Sequence, residues 1–319
     1  VATAHLVGIF PRSEELVTAT RAYERGRYDA AALDRLFAEE ARRVVALQAE
    51  AGLDYVTDGL LRWQDLLRPL SEGVDGMHPG PVTRWFDNNT FYRRPVIGGW
   101  LPPMGEVVLR YVDRDALAGH RWKAILPAPW TFAMLAEDDY YADEEALLLD
   151  VADLIRSAAV ALVEAGCAYV QFSDPVLVAR PREGAVERAG RALARVVEGL
   201  GVRTAVHTCF GDVAPVLPAL LEWPVDEVGF DLFATTLDRL EGRAGSKTVL
   251  VGALDGRNSL LEDPVRTAET VRRVADRLGA ERVGVVPSCD LEFLPWPVAA
   301  EKVRRLGEVK RRLAPAPVA

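Results

Sequence analysis

The sequence predicts an α/β fold, a single (β/α)8 TIM barrel, on three observations. Eight short apolar runs alternate with longer amphipathic segments over nearly all 319 residues. The short runs are rich in Val, Ile and Leu and lack strict polar alternation, as strands buried on both faces do. The joints Ala51-Gly52-Leu53-Asp54-Tyr55 and Ala165-Gly166-Cys167-Ala168-Tyr169 are alike, which marks a repeated helix-to-strand unit. A doubly wound open sheet is the second candidate, but no glycine-rich dinucleotide fingerprint follows the first strand.

Taken in order, His5–Phe10 is expected as the first strand and Leu33–Glu50 as a long helix closed by Gly52. Tyr55–Thr57 is the second strand. Residues 68–121 are too long for a simple connection and carry Pro, Gly, Trp, Asn and Tyr. They read as a rim insertion between strands two and three, with a hairpin at Thr90–Tyr111. Lys123–Pro127 is the third strand. In Glu144–Glu164, Leu147, Leu148, Val151, Leu154, Ile155 and Leu162 recur at i, i+3, i+4, and Asp143 stands where an N-cap belongs. Ala168–Phe172, Arg203–His207, Asp226–Asp231, Thr248–Gly252 and Arg282–Val286 complete the strands, with helices at Ala185–Glu198 and Pro264–Leu278. The chain 1–319 thus reads as one catalytic domain carrying the 68–121 insertion.

Composition narrows the function. Half the residues are hydrophobic and 27% are charged, against both disorder and a membrane protein. A net charge of -9 argues against nucleic acid as partner. Three cysteines make no disulfide framework and fit a reducing, cytoplasmic setting, and no secretory signal is expected in Val1 to Phe10. Arginine outnumbers lysine 34 to 4, as in a GC-rich genome or a thermophile.

In a barrel, chemistry sits at the carboxyl ends of the strands. Of the four histidines and three cysteines, His207 and Cys209 fall at the end of strand five and Cys289 at the end of strand eight. One imidazole and two thiolates suit Zn²⁺, which takes mixed nitrogen and sulfur ligands. The alternative is a core histidine beside two small apolar side chains. Asp231, at the end of strand six, is the best fourth ligand. Zinc so held would lower the pKa of a substrate thiol. Cys167, at the start of strand four, is expected to be core.

These residues stand in an ordered set of motifs. They include Val7-Gly8-Ile9-Phe10-Pro11-Arg12, Thr57-Asp58-Gly59-Leu60-Leu61-Arg62-Trp63, Gln171-Phe172-Ser173-Asp174-Pro175, His207-Thr208-Cys209, Leu254-Asp255-Gly256-Arg257-Asn258 and Pro287-Ser288-Cys289-Asp290. With them the chain resembles the cobalamin-independent methionine synthase family, in a short "core" form corresponding to the C-terminal catalytic half. The resemblance implies a (β/α)8 barrel whose zinc ligands are His207, Cys209, Asp231 and Cys289. It implies an S-methyltransferase making methionine from homocysteine, with Asp255 and Asp174 catalytic. Gly8, Ile9, Asp58, Arg62, Ser173 and Asp174 would bind the substrate.

The sequence departs from the long enzymes at three places. Leu60 replaces a glutamate that binds the amino acid's ammonium group, and Ser173 replaces a second carboxylate. Asp58, Asp174 and Asp255 remain as acids that could meet an ammonium. Arg257 stands where a histidine is the proton donor to folate, and a guanidinium cannot serve as that acid. The expectation is therefore methylcobalamin, or a methylated corrinoid protein, as donor, with Arg257, Asn89 and Trp63 as donor-binding residues. Alternatives are a folate donor, another acceptor such as coenzyme M, and a non-catalytic zinc or corrinoid-binding module. A metal-free barrel lyase resembling uroporphyrinogen decarboxylase would leave the His/Cys clustering unexplained.

Overall fold

A computed structural model describes residues 2–314; Val1 and residues 315–319 of the expected domain lie outside the described residues. The strands are β1 (Ala2–Ala4), β2 (Met77–Arg84), β3 (Phe91–Ile97), β4 (Lys123–Pro127), β5 (Glu137–Asp138), β6 (Tyr169–Ser173), β7 (Arg203–Thr208), β8 (Glu227–Asp231), β9 (Thr248–Leu254) and β10 (Arg282–Pro287). Seven of them form a parallel sheet in the order β1-β10-β9-β8-β7-β6-β4. Its strands are buried along nearly their whole length; long helices follow β1, β4, β6, β9 and β10 in the chain, whereas only short helical turns separate β7 from β8 and β8 from β9. That burial is why their runs lack alternation.

The eighth expected strand, Tyr55–Thr57, is reduced to a single parallel bridge between Val56 and Trp122. The Asp54 amide donates to the Ala4 carbonyl at 2.9 Å, and the Val56 amide to the Arg121 carbonyl at 3.0 Å. The segment therefore joins β1 to the run leading into β4. Of the expected (β/α)8 barrel, seven strands form a curled parallel sheet, and the eighth is present only as this bridged segment.

The first strand is a correction. It covers Ala2–Ala4, not His5–Phe10. Beyond Ala4 the backbone groups are taken up outside the ladder. The Leu6 carbonyl accepts from Lys123 Nζ and the Val7 carbonyl from Gln171 Nε2. The Ile9 amide donates to Asp290 Oδ1, and the Phe10 amide to the Gly59 carbonyl. Buried polar backbone must be satisfied, but a ladder is not the only way to do so.

Between Val56 and β4 the chain builds the hairpin β2-β3, and β5, which follows β4, extends it to a second, three-stranded sheet. The hairpin pairs Met77–Arg84 with Phe91–Ile97, so the one expected at Thr90–Tyr111 is displaced toward the N-terminus. Gly98, Gly99, Pro102 and Pro103 end the extended run, and Gly105–Tyr111 is a 3-10 helix. Helices Ala30–Ala51, Glu144–Glu164 and Pro264–Leu278 appear at or near their expected bounds. Asp143 caps the second of these by accepting from the Glu145 and Ala146 amides. Gly52 ends the first with φ 79, a left-handed conformation costly for residues with a Cβ.

The barrel interior is filled, not hollow. Val7, Tyr55, Tyr169, Ala205, Leu250 and Val286 form an apolar cluster there. Beside it, Lys123 Nζ contacts His5 Nδ1 at 2.9 Å and Gln171 Oε1 at 2.6 Å. Burial holds that lysine well below the ordinary range. Glu227 accepts from Tyr169 Oη at 2.6 Å and Arg203 Nη1 at 2.7 Å. Burial alone would raise this carboxyl, but His5, Tyr169 and Arg203 outweigh it and bring it down to about 2.

Candidate metal and thiol site

The carboxyl ends of β7, β8 and β10 bring the candidate ligands to one rim. His207 and Cys209 are two residues apart at the end of β7, so they share the face directed inward with Ala205. Gly229 on β8 pairs with His207; a Cβ there would lie 2.6 Å from the imidazole Cδ2, so only glycine leaves the ring its place. His207 Nε2 is buried with no hydrogen-bond partner. Burial, with Lys123 and His5 nearby, lowers its pKa to about 3, so the ring is neutral at working pH.

Cys209 and Cys289 are free and buried. Burial first, then the neighbouring Cys289, Asp290 and Asp231, holds the Cys209 thiol well above its ordinary range. Burial and the same two aspartates do so for Cys289. The Arg257 guanidinium is the cation that acts against this rise at both thiols. Asp231 accepts from the Phe233 and Ala234 amides at 2.9 and 3.2 Å and from Arg257 Nη2 at 3.0 Å. Among the described residues no three His, Cys, Asp or Glu side chains are already gathered as a metal cage. The donor chemistry nevertheless fits zinc: an orphaned, neutral imidazole nitrogen and two free, buried thiols.

The other expected site residues are placed as follows. Asp174 is buried, with Oδ1 accepting from Thr131 Oγ1 at 2.6 Å and Oδ2 without a partner. Burial raises its pKa to about 7. Its amide donates to the His207 carbonyl, which ties it to the same rim. Ser173 is hydrogen-bonded to Gln171 Nε2. A Cβ on Gly8 would lie 2.0 Å from Asp290 Oδ1, the oxygen that already accepts from the Ile9 amide. Asp255 accepts from the Arg257 amide.

The second-strand residues turn elsewhere. Gly59 and Leu60, with φ 81 and 52, bend the chain away after Asp58. Asp58 then spends its oxygens on the amides of Leu60 and Asp113. Arg62 pairs with Asp34 at 2.7 Å, and Trp63 is buried. Asn89 is exposed in the β2–β3 turn. Its neighbours Phe86 and Asn88 line a cavity of about 220 Å³ with Arg180, Phe210 and Arg257.

Some residues near the site were given no role from the sequence. Asp290, quoted only within a motif, and Glu292 meet the segment that follows β1, where the Glu292 amide donates to the Ile9 carbonyl. Phe86 from the hairpin packs on Phe210 at 5.3 Å, beside Cys209 in the chain. A signal for Lys123 existed: it is one of only four lysines and stands inside an apolar run.

The chain matches the family model described as "Cobalamin-independent synthase, N-terminal domain" over residues 62–279. That span includes His207, Cys209 and Asp231 and stops short of Cys289. The matching domain is the N-terminal one, where the resemblance of motifs pointed to the C-terminal half. A methionine synthase of Sulfurisphaera tokodaii is 26% identical over 304 residues, covering 93% of this chain and 88% of that one. The structure of a B12-independent methionine synthase from a Shewanella species, in complex with selenomethionine, superposes with a TM-score of 0.78. It is 19% identical, covering 97% of this chain and 96% of that one. A putative vitamin-B12-independent methionine synthase from Listeria monocytogenes gives 0.76 at 18% identity, with 98% and 97% covered.

These findings correct one expectation. A family described as cobalamin-independent does not support methylcobalamin or a corrinoid protein as donor. The physical reason lies in Arg257, whose guanidinium is engaged with Asp231 and lies 3.7 Å from Asp255. Its presence therefore says nothing about the donor's leaving group. No helix among the described residues is long and apolar enough to cross a membrane. The chain belongs to the cobalamin-independent synthase family, whose members catalyse methyl transfer.

Proposed function

We propose that this protein is a zinc-dependent S-methyltransferase that converts homocysteine to methionine. The observation that carries the reading is His207 Nε2, buried without a partner on the rim that holds two free thiols. The methionine synthases to which the chain is similar over nearly its whole length support the acceptor. In this reading the chain is one catalytic domain, 1–319, and 68–121 is the insertion that shapes its rim.

His207, Cys209 and Cys289 would hold the ion, with Asp231 as the fourth candidate. Bound zinc supplies Lewis acidity that keeps a thiol deprotonated and nucleophilic at neutral pH. Asp174 would manage the proton. Its Oδ2 has no competing partner, and a pKa of about 7 lets it accept the thiol's proton and release it again. In the transfer a sulfur–carbon bond forms and the donor's bond to methyl breaks. A folate-type amine leaves only when protonated, and Asp174 is the buried acid on hand.

The test is metal content followed by methyl transfer to a panel of thiols. Stoichiometric zinc and turnover with homocysteine are expected. Turnover only with coenzyme M would move the acceptor, a result that Leu60, Ser173 and the saturated Asp58 would then explain. Zinc binding without transfer to any thiol would leave a binding module.

A further inference from the structure

Between the segment that follows β1 and the start of helix Trp296–Leu313 lies a cavity of about 610 Å³, a size common among small-molecule sites. Ile9, Phe10, Val17 and Leu294 supply apolar wall. The charged lining is balanced: Arg12 and Arg43 against Glu14 and Glu292. Glu14 stands exposed in the first turn of helix Glu14–Glu24, and Arg43 lies over the Trp296 ring at 4.9 Å. Arg12 and Glu292 are half-buried, and among the described residues neither side chain forms an ion pair or a hydrogen bond. Burial, with Asp290 adding to it, holds the Glu292 carboxyl well above its ordinary range against the pull of Arg12. Burial also lowers the Arg12 guanidinium, and Glu292 is the charge that opposes this most. The two are near enough to act on each other, yet they are not joined. Trp296 adds a buried Nε1–H donor without a partner.

We propose that this cavity binds a free α-amino acid, with Arg12 taking the carboxylate and Glu292 the ammonium. Charges withdrawn from water are costly until an opposite charge reaches them. A lone carboxylate would answer Arg12 and leave Glu292 unmet, and a lone amine would do the reverse. A zwitterion answers both and adds no net charge to a balanced lining. The apolar wall suits an aliphatic or thioether side chain. Of the residues that the resemblance of motifs gives to the acceptor, only Ile9 lines this cavity. Glu292 thus offers the carboxylate that Leu60 and Ser173 do not, and that Asp58 has spent on two amides. The inference rests on the proposed methyl transfer only in naming methionine as the first probe.

The experiment is calorimetric titration of the full chain, metal-free and zinc-loaded, with L-methionine, 3-(methylthio)propionate and 3-(methylthio)propylamine. Methionine should bind both forms, and each one-charge analogue roughly tenfold more weakly or worse. Arg12→Gln should erase the preference for methionine over the amine, and Glu292→Gln the preference over the propionate. Merely structural roles would not separate the two analogues in this way. Melting curves check that the variants fold, and the analogue series on wild type decides the matter if they do not.

No binding of methionine, equal binding of the three probes, or binding that both variants leave unchanged overturns the inference. L-Leucine bound as tightly as methionine would support the cavity as an amino-acid site and make its occupant a regulator. Methionine bound as expected by protein that takes up no zinc and transfers no methyl group would overturn the reaction reading and leave the cavity's role standing.

Discussion

His207 is buried at the end of β7 with one nitrogen unsatisfied, and such an orphaned group costs about 1–3 kcal/mol. A metal ion removes that cost. His207→Leu should therefore leave the metal-free protein as stable as wild type or more so, while abolishing the rise in melting temperature that zinc gives wild type. Calorimetric melting with and without zinc checks both halves; equal zinc stabilisation of the two proteins would exclude His207 as a ligand. Glu227 makes the complementary case, a buried carboxylate with every partner present. Its pKa falls from 4.5 unfolded to about 2 folded. The folded state thus binds fewer protons, and its contribution is complete above pH ~4.5 and lost as pH falls toward ~2. Urea unfolding between those values should show wild type losing stability more steeply than Glu227→Gln, which has no carboxyl to titrate.

At the scale of elements, legibility followed how local the cause was. The helices Glu144–Glu164 and Pro264–Leu278 were readable because an aspartate cap and an apolar stripe specify them without help from the rest of the chain. Lys123–Pro127 was readable as a continuous apolar run despite its buried lysine. Tyr55–Thr57 was not, because a single bridge depends on where β1 and β4 lie. The hairpin was misplaced because Met77–Arg84 contains Pro79, Gly80 and Pro81 and reads as a turn. It survives as an edge strand whose register shifts between Pro79 and Val82.

Two glycines give tests at the same scale. A Cβ on Gly307, in helix Trp296–Leu313, would lie 1.9 Å from the Ala51 carbonyl oxygen. Gly307→Ala should destabilise by ~1–3 kcal/mol through overpacking, read by denaturant unfolding, and leave zinc affinity untouched. Gly229→Ala crowds the His207 ring on β8 and should weaken zinc binding as well as stability. Chelator competition on both variants separates the two; equal zinc affinity would mean that the His207 ring has no part in binding.

For the whole molecule, a curled parallel sheet sets the carboxyl ends of β7, β8 and β10 along one rim, and this brings residues far apart in sequence to the candidate site. The sequence motifs nominated His207, Cys209, Asp231 and Cys289 as candidates, because rare residue types at strand ends stand out. They could not reveal that Arg257 holds Asp231 or that Asp58 is consumed by two amides, since those bonds depend on the final fold. The central claim is that this rim binds zinc and presents it to a thiol. Zinc-edge X-ray absorption of the loaded protein, before and after adding homocysteine, tests it most directly. The account predicts two sulfur ligands, rising to three when homocysteine is added; absence of zinc, or a sulfur count that homocysteine does not change, would contradict it.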